Sequence, residues 1–140
     1  MTCFHGDKIP RYGELAFATI SGGPDHNSNV EHTYGYLESK LNANTDIEKN
    51  SVDFAQRLFY STGSERSKID ALFTLAHTYQ VTTLPYEPVP TSLSDGYNSS
   101  GYMRTLLNLV GIQPPTFVSP TFFFPGWQKP VPATFFGVQQ

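Results

Sequence analysis

The sequence predicts an α+β domain: a small antiparallel sheet with a His-bearing strand, packed on two helices, plus an extended Pro/aromatic-rich C-terminal arm. Three observations carry this reading. Segments before residue 62 alternate apolar and polar side chains with a period of two. Two later segments, 69–79 and 102–110, repeat apolar residues at helical spacing. Beyond Pro114-Pro115, four more prolines (Pro120, Pro125, Pro130 and Pro132) interrupt a stretch rich in Phe, which neither helix nor sheet tolerates.

Residues 1–13 carry Cys3, His5, Pro10 and Gly13 and read as an irregular lead-in. Glu14 to Ile20 sets Leu15, Phe17 and Thr19 against Ala16, Ala18 and Ile20, a buried strand. Ser21 to Asn29 is dense in turn formers and is expected to be a loop. In the strand Glu31 to Lys40, His32, Tyr34, Tyr36 and Glu38 share one face. Asn42 to Asn50 is polar and turn-like, with Thr45-x-x-Glu48 able to open one helical turn. Ser51 to Ser61 fits a strand face of Val52, Phe54, Gln56, Leu58 and Tyr60, or a helix face of Val52, Ala55 and Phe59. Its aromatics and the following Ser-Thr-Gly favour the strand.

The first helix is capped by Ser67-x-x-Asp70, or a turn earlier by Thr62-x-x-Glu65, with Ile69, Leu72, Phe73, Ala76 and Tyr79 along its apolar face. Val81 to Gly96 contains Pro85, Pro88 and Pro90 and reads as a surface connector. The second helix runs from about Ser100 to Val110, with Tyr102, Leu106, Leu109 and Val110 inward and Gly111 as the residue that ends it. The expected organisation is therefore a domain over residues 1–111 and an arm over 112–140 that wraps on it or faces a partner.

Composition excludes several classes. The chain has 140 residues, with Lys+Arg 9 against Asp+Glu 12 and a net charge of −3, unsuited to a binder held by nucleic-acid phosphates. A single cysteine allows no internal disulfide and no multi-cysteine metal site. Only 15% of residues are charged and 14% are aromatic, so rings supply much of the core. No apolar run resembles a signal peptide or a spanning helix. The expectation is a soluble protein, cytoplasmic or exported without a cleaved signal; the match of Asn98-Ser99-Ser100 to a glycosylation sequon is then coincidental.

Metal sites are poorly supported. Asp25, Asn27, Asn29 and Glu31 imitate the start of a calcium loop, but Val30 stands at the glycine position and Tyr36 where a bidentate carboxylate is needed. His26 and His32 could share a metal with Asp25 or Glu31, yet no His-x-x-x-His pair or thiolate completes the set. His5 and His77 read as structural or surface histidines. No cofactor is implied.

Asp95 to Tyr102 is the segment richest in chemistry. Small polar residues sit at a helix start directly after a turn, where the positive end of the helix dipole stabilises an oxyanion or a nucleophile. The competing reading is structural, since serine at a helix start is a favoured N-cap and Ser99 would then be merely a helix cap. Two short motifs weigh on the choice, His32-Thr-Tyr-Gly-Tyr36 and Asn98-Ser99-Ser100-Gly101-Tyr102. Their order resembles that of the circularly permuted papain-like fold, the group of NlpC-type amidases and lecithin–retinol acyltransferase relatives, over about residues 14–111. In that group a histidine opens an early strand, and an Asn-Cys-x-x-Phe motif later starts the helix that carries the nucleophile.

The resemblance implies a small hydrolase or acyltransferase acting on an amide or ester bond of a peptide or lipid-like substrate. Ser99 would be the nucleophile, His32 the general base and Gln56 the orienting group, with Asn98 and Ser100 at the oxyanion or substrate site. Ser99 stands where the family has cysteine. A serine hydroxyl is far less acidic than a thiol, so the change indicates a serine enzyme or a fold without catalysis. Cys3 precedes His32, as in unpermuted papain-like enzymes, but Phe4 to Pro10 is a poor helix and Cys3 ranks below Ser99. The alternative is a catalytically inactive interaction or structural module, or a toxin tail domain with an immunity partner. Its partner would be a protein held by a sheet edge or by the 112–140 arm, where Phe122 to Pro132 otherwise packs on the domain itself.

Overall fold

The computed structural model describes residues 11–12, 15–16, 18–26, 34–42, 58–79, 84–113 and 125–138. The fold is α+β. Its strands are β1 (Arg11–Tyr12), β2 (Leu15–Ala16), β3 (Ile20–Pro24), β4 (Leu37–Leu41), β5 (Phe59–Tyr60) and β6 (Ile112–Gln113). Its helices are α1 (Glu65–Thr78) and α2 (Ser99–Leu109), followed by a 3₁₀ turn at Ala133–Phe136. Among the described residues the strands form antiparallel pairs, β1 with β2, β3 with β4 and β5 with β6, rather than one sheet. No helix among them is long and apolar enough to cross a membrane.

The β3–β4 hairpin lies under α2. Ser21 to Pro24, expected as loop, is strand, paired from Ile20↔Leu41 to Pro24↔Leu37. The glycines there serve close approach rather than a turn: a Cβ on Gly22 would stand 2.7 Å from Cγ of Tyr102. Tyr102 is fully buried against that strand, and its hydroxyl is hydrogen-bonded to Ser39 Oγ at 2.6 Å. Beyond the paired strands the hairpin continues irregularly, with Asp25 N–H donating to Tyr36 O and Asp25 Oδ1 accepting from Tyr36 N–H. At the other end Asn42, at φ +52, accepts the Thr19 N–H on its side-chain oxygen. The strand expected over Glu31–Lys40 is shorter, Leu37–Leu41, with Tyr36 in an isolated bridge and 31–33 outside the described residues.

α1 starts at neither expected cap. Ser64 is the N-cap: its Oγ accepts from Ser67 N–H, and Ser67 Oγ accepts in return from Ser64 N–H. Phe73 and Ala76 are buried from this helix, as is Tyr79 at its C-cap. α2 ends as the sequence predicts, with Gly111 at φ +74. Lys68 of α1 donates to the Val110 carbonyl at 2.6 Å, satisfying one of the acceptors left open there.

The main core joins both helices, the hairpin and the C-terminal segment through Leu37, Tyr79, Leu84, Tyr102, Leu106, Val131 and Phe136. Its centre is a trio of rings, with centroids 5.3 Å apart for Tyr79–Tyr102 and 5.1 Å for each of their contacts with Phe136. Aromatic pairs at such separations contribute about 0.5–1.5 kcal/mol each beyond area burial. Burial pushes the Tyr102 hydroxyl up to about 12, with the Ser39 hydrogen bond pulling the other way. Burial raises Tyr79 as well, and its hydroxyl donates to the Leu37 carbonyl.

Two segments differ from their expected roles. The Pro-rich stretch before α2 is not a mere surface connector. Leu84 and Pro90 are buried, Leu84 O accepts from Leu37 N–H, and Tyr86 N–H donates to Gly35 O, so 84–86 runs along the edge of β4. Prolines at 85, 88 and 90 lack the donors for a regular ladder, which limits the pairing to isolated bridges. Of the C-terminal arm, residues 125–138 turn back over α2. Val131 N–H donates to Gly101 O, Thr105 Oγ1 donates to Val131 O, and Phe136 enters the core. The Phe122–Phe124 run lies outside the described residues.

Candidate functional site

The start of α2 gathers the described part of the expected site. Asn98 is its N-cap, in extended backbone, and is only 4% exposed. Its Oδ1 accepts from the N–H groups of Ser100 (3.1 Å) and Gly101 (3.3 Å). Its Nδ2 donates to the carbonyls of Pro88 (3.1 Å) and Pro125 (2.6 Å). A primary amide offers two donors and one oxygen with two lone pairs, so these four bonds fill its hydrogen-bonding capacity. Asn98 thus ties the helix start to the preceding loop and to the C-terminal segment.

Two glycines allow this. A Cβ on Gly126, at φ +84, would collide with Asn98 Oδ1, and one on Gly101 would collide with the Lys129 carbonyl. Lys129 closes the same corner. Its ammonium donates to the carbonyls of Ser94 and Gly96 (2.8 Å to the latter) and lies 4.5 Å from the centroid of the Tyr97 ring. Glu87 Oε1 accepts the Gly96 N–H at 3.1 Å. On the outer side, Arg104 Nη1 donates to Trp127 O at 2.7 Å, with the guanidinium 5.9 Å from that ring's centroid.

Ser99 is half-buried, with its side chain close enough to the Tyr86 hydroxyl to influence its ionisation. Burial raises the Tyr86 hydroxyl above its ordinary value, the polar Ser99 side chain lowers it, and Tyr34 raises it again, with ring centroids 6.1 Å apart. A phenol held in its protonated form at neutral pH can donate to or accept from the serine hydroxyl but cannot draw off its proton as a base. The backbone amide of Ser100, a residue expected at the oxyanion or substrate site, is engaged by Asn98 Oδ1, as is that of Gly101.

His32 and Gln56 lie outside the described residues, as do Cys3 and His5. His26 and His77 are exposed, the first at φ +56 and the second in the last turn of α1. Among the described residues no group of three or more His, Cys, Asp or Glu side chains is placed to hold a metal ion. The residues that sequence reasoning missed here are Tyr86, hidden in a Pro-rich stretch, and Lys129. The Pro125-Gly126 dipeptide was a readable turn signal, without any sign of what it turned against.

No protein-family model matches the chain, and no match was found among curated proteins or solved structures.

Proposed function

We propose that the chain is a non-catalytic interaction or structural module in which the start of α2 is a clasp rather than an active site. The observation that carries this is the saturation of Asn98: every hydrogen-bonding position of its amide is spent on backbone groups of this chain. The neighbouring Tyr86 phenol supports the same reading, because a group that stays protonated at neutral pH does not activate the Ser99 hydroxyl. The clasp fixes residues 87–97 in shape, and a preformed loop binds a partner with less loss of entropy.

The rival is a serine hydrolase or acyltransferase of the permuted papain-like type, with Ser99 as nucleophile, His32 as base and Gln56 as orienter. One observation favours it. The Ser99 side chain lies near the Tyr86 hydroxyl, Tyr86 lies beside Tyr34, and Tyr34 follows His32 by two residues in the sequence.

Intact mass after exposure to a broad fluorophosphonate serine probe separates the two readings. The clasp reading expects no adduct on the folded wild-type chain. A single adduct that disappears in both Ser99→Ala and His32→Ala overturns it in favour of the hydrolase.

A further inference from the structure

The loop ahead of α2 presents an apolar side chain to solvent on a stiff support. Leu93 is 95% exposed, and nearby Val89 is 59% exposed. The turn beneath Leu93 is closed four times over: Ser94 N–H donates to Thr91 O, Thr91 N–H to Ser94 Oγ, Ser94 Oγ to Thr91 O and Leu93 N–H to Thr91 Oγ1. Lys129 holds the carbonyls of Ser94 and Gly96, and Asn98 holds that of Pro88. An exposed leucine at the tip of a floppy loop is unremarkable, but one on a loop tied at so many points is pre-organised.

The opposite end of α2 offers a concave counterpart. An open cavity of about 510 Å³ is lined by Phe59, Tyr60, Asn108, Gly111, Ile112 and Gln113, and Phe59 is 64% exposed at it. That volume lies within the roughly 300–1,000 Å³ typical of ligand pockets, ample for a leucine side chain and its flanking residues. The exposed charge at the knob, Asp95, is opposite in sign to that of Lys68 at the cavity, while Lys129 is spent within the knob's own loop on the Ser94 and Gly96 carbonyls. Lys68 Nζ stands 5.7 Å from the centroid of the Tyr60 ring and 3.2 Å from where a Gly111 Cβ would be, while Asp95 is exposed next to the knob, with Glu87 on the same loop. Knob and cavity sit at the two ends of an 11-residue helix, about 15 Å apart along its axis, and so cannot meet within one molecule.

We infer that the Leu93 loop of one copy docks in the β5–β6 cavity of a second copy, giving a head-to-tail contact. The inference rests on the interaction-module reading and names its partner. Such a contact uses two different patches, so a pair still keeps one free knob and one free socket, and assembly grows with concentration into rings or chains rather than stopping at a symmetric pair. Small interfaces of this kind are weak and transient, and the charged rim makes this one sensitive to salt.

The test is sedimentation velocity on the full chain up to about 1 mM, a concentration that populates weak complexes. The wild type is expected to show a mass-average that rises with concentration past the dimer and falls with added salt. Leu93→Ser removes the knob at an exposed position and Asn108→Trp fills the socket from an exposed helix position; far-UV circular dichroism checks that both remain folded. Each variant alone should be monomeric, and their mixture should form a one-to-one dimer and stop there. A wild type that is monomeric throughout overturns the self-association and leaves Leu93 to a different protein's socket. Growth that Leu93→Ser does not alter also overturns it. Neither result bears on whether Ser99 reacts with a fluorophosphonate, so failure of the contact and failure of the module reading are told apart.

Discussion

Asn98 Nδ2 donates to the carbonyl of Pro125 at 2.6 Å, joining positions 27 residues apart in the chain at the first turn of α2. The bond needs the backbone at Gly126 to pass directly over the amide. No β-carbon fits there, and the residue adopts φ +84, open to glycine and costly to other residues.

Gly126→Ala should therefore be among the more damaging single-methyl additions in the chain. The left-handed backbone alone costs about 1–2 kcal/mol for an L-residue, and displacement of the Asn98 amide adds to it. Chemical unfolding of the variant should show a loss of about 2 kcal/mol or more.

Gly22→Ala tests a different close approach. Its backbone is ordinary strand, so any penalty comes from the Tyr102 ring, which lies 2.7 Å from the new methyl position. Overpacking of this kind costs about 1–3 kcal/mol. In a Tyr102→Leu background the same substitution should cost clearly less, and the coupling between the two can be read from a double-mutant cycle.

Stability should fall on the alkaline side. Burial pushes Tyr102 up to about 12 and also raises Tyr79, whereas an unfolded tyrosine titrates near about 10. Between those values the unfolded chain releases protons that the folded chain retains. The stabilisation is thus complete below about pH 10 and is lost as pH rises toward the folded value. Urea midpoints measured from neutral pH upward should decline over that window. Tyr102→Phe, although less stable at neutral pH through loss of the Ser39 hydrogen bond, should give a shallower decline.

The sequence made α2 legible almost to the residue, because its apolar spacing and Gly111 agree on one helix, although the cap is Asn98 rather than a serine. For α1 the periodicity was clear and the start was not. Thr62, Ser64 and Ser67 all suit a cap, and reciprocal bonding between the two serines decides for Ser64. β3 was hidden because Ser-Gly-Gly-Pro has turn composition, while its strand character depends on an aromatic ring 80 residues later in the chain, the difference between Gly22 and Tyr102. Pro85, Pro88 and Pro90 likewise concealed the packing of Leu84 and Tyr86, whose contacts with β4 are irregular. At the site, a motif resemblance, rather than spacing, marked Asn98 as a residue of interest and put Ser99 at the helix start. It carried no sign of the carbonyls of Pro88 and Pro125, which turn Asn98 from a lining residue into a clasp.

The most direct measurement of the clasp is the urea unfolding free energy of Asn98→Ala beside that of Ser99→Ala. Loss of the cap costs about 1 kcal/mol, and two carbonyls lose their side-chain donor at about 1 kcal/mol each. Asn98→Ala should therefore lose about 2–3 kcal/mol, with faster proteolytic nicking within residues 87–97, while Ser99→Ala loses less than about 1 kcal/mol. An Asn98→Ala chain within about 0.5 kcal/mol of wild type would contradict the account, because surface positions without a structural role behave in that way.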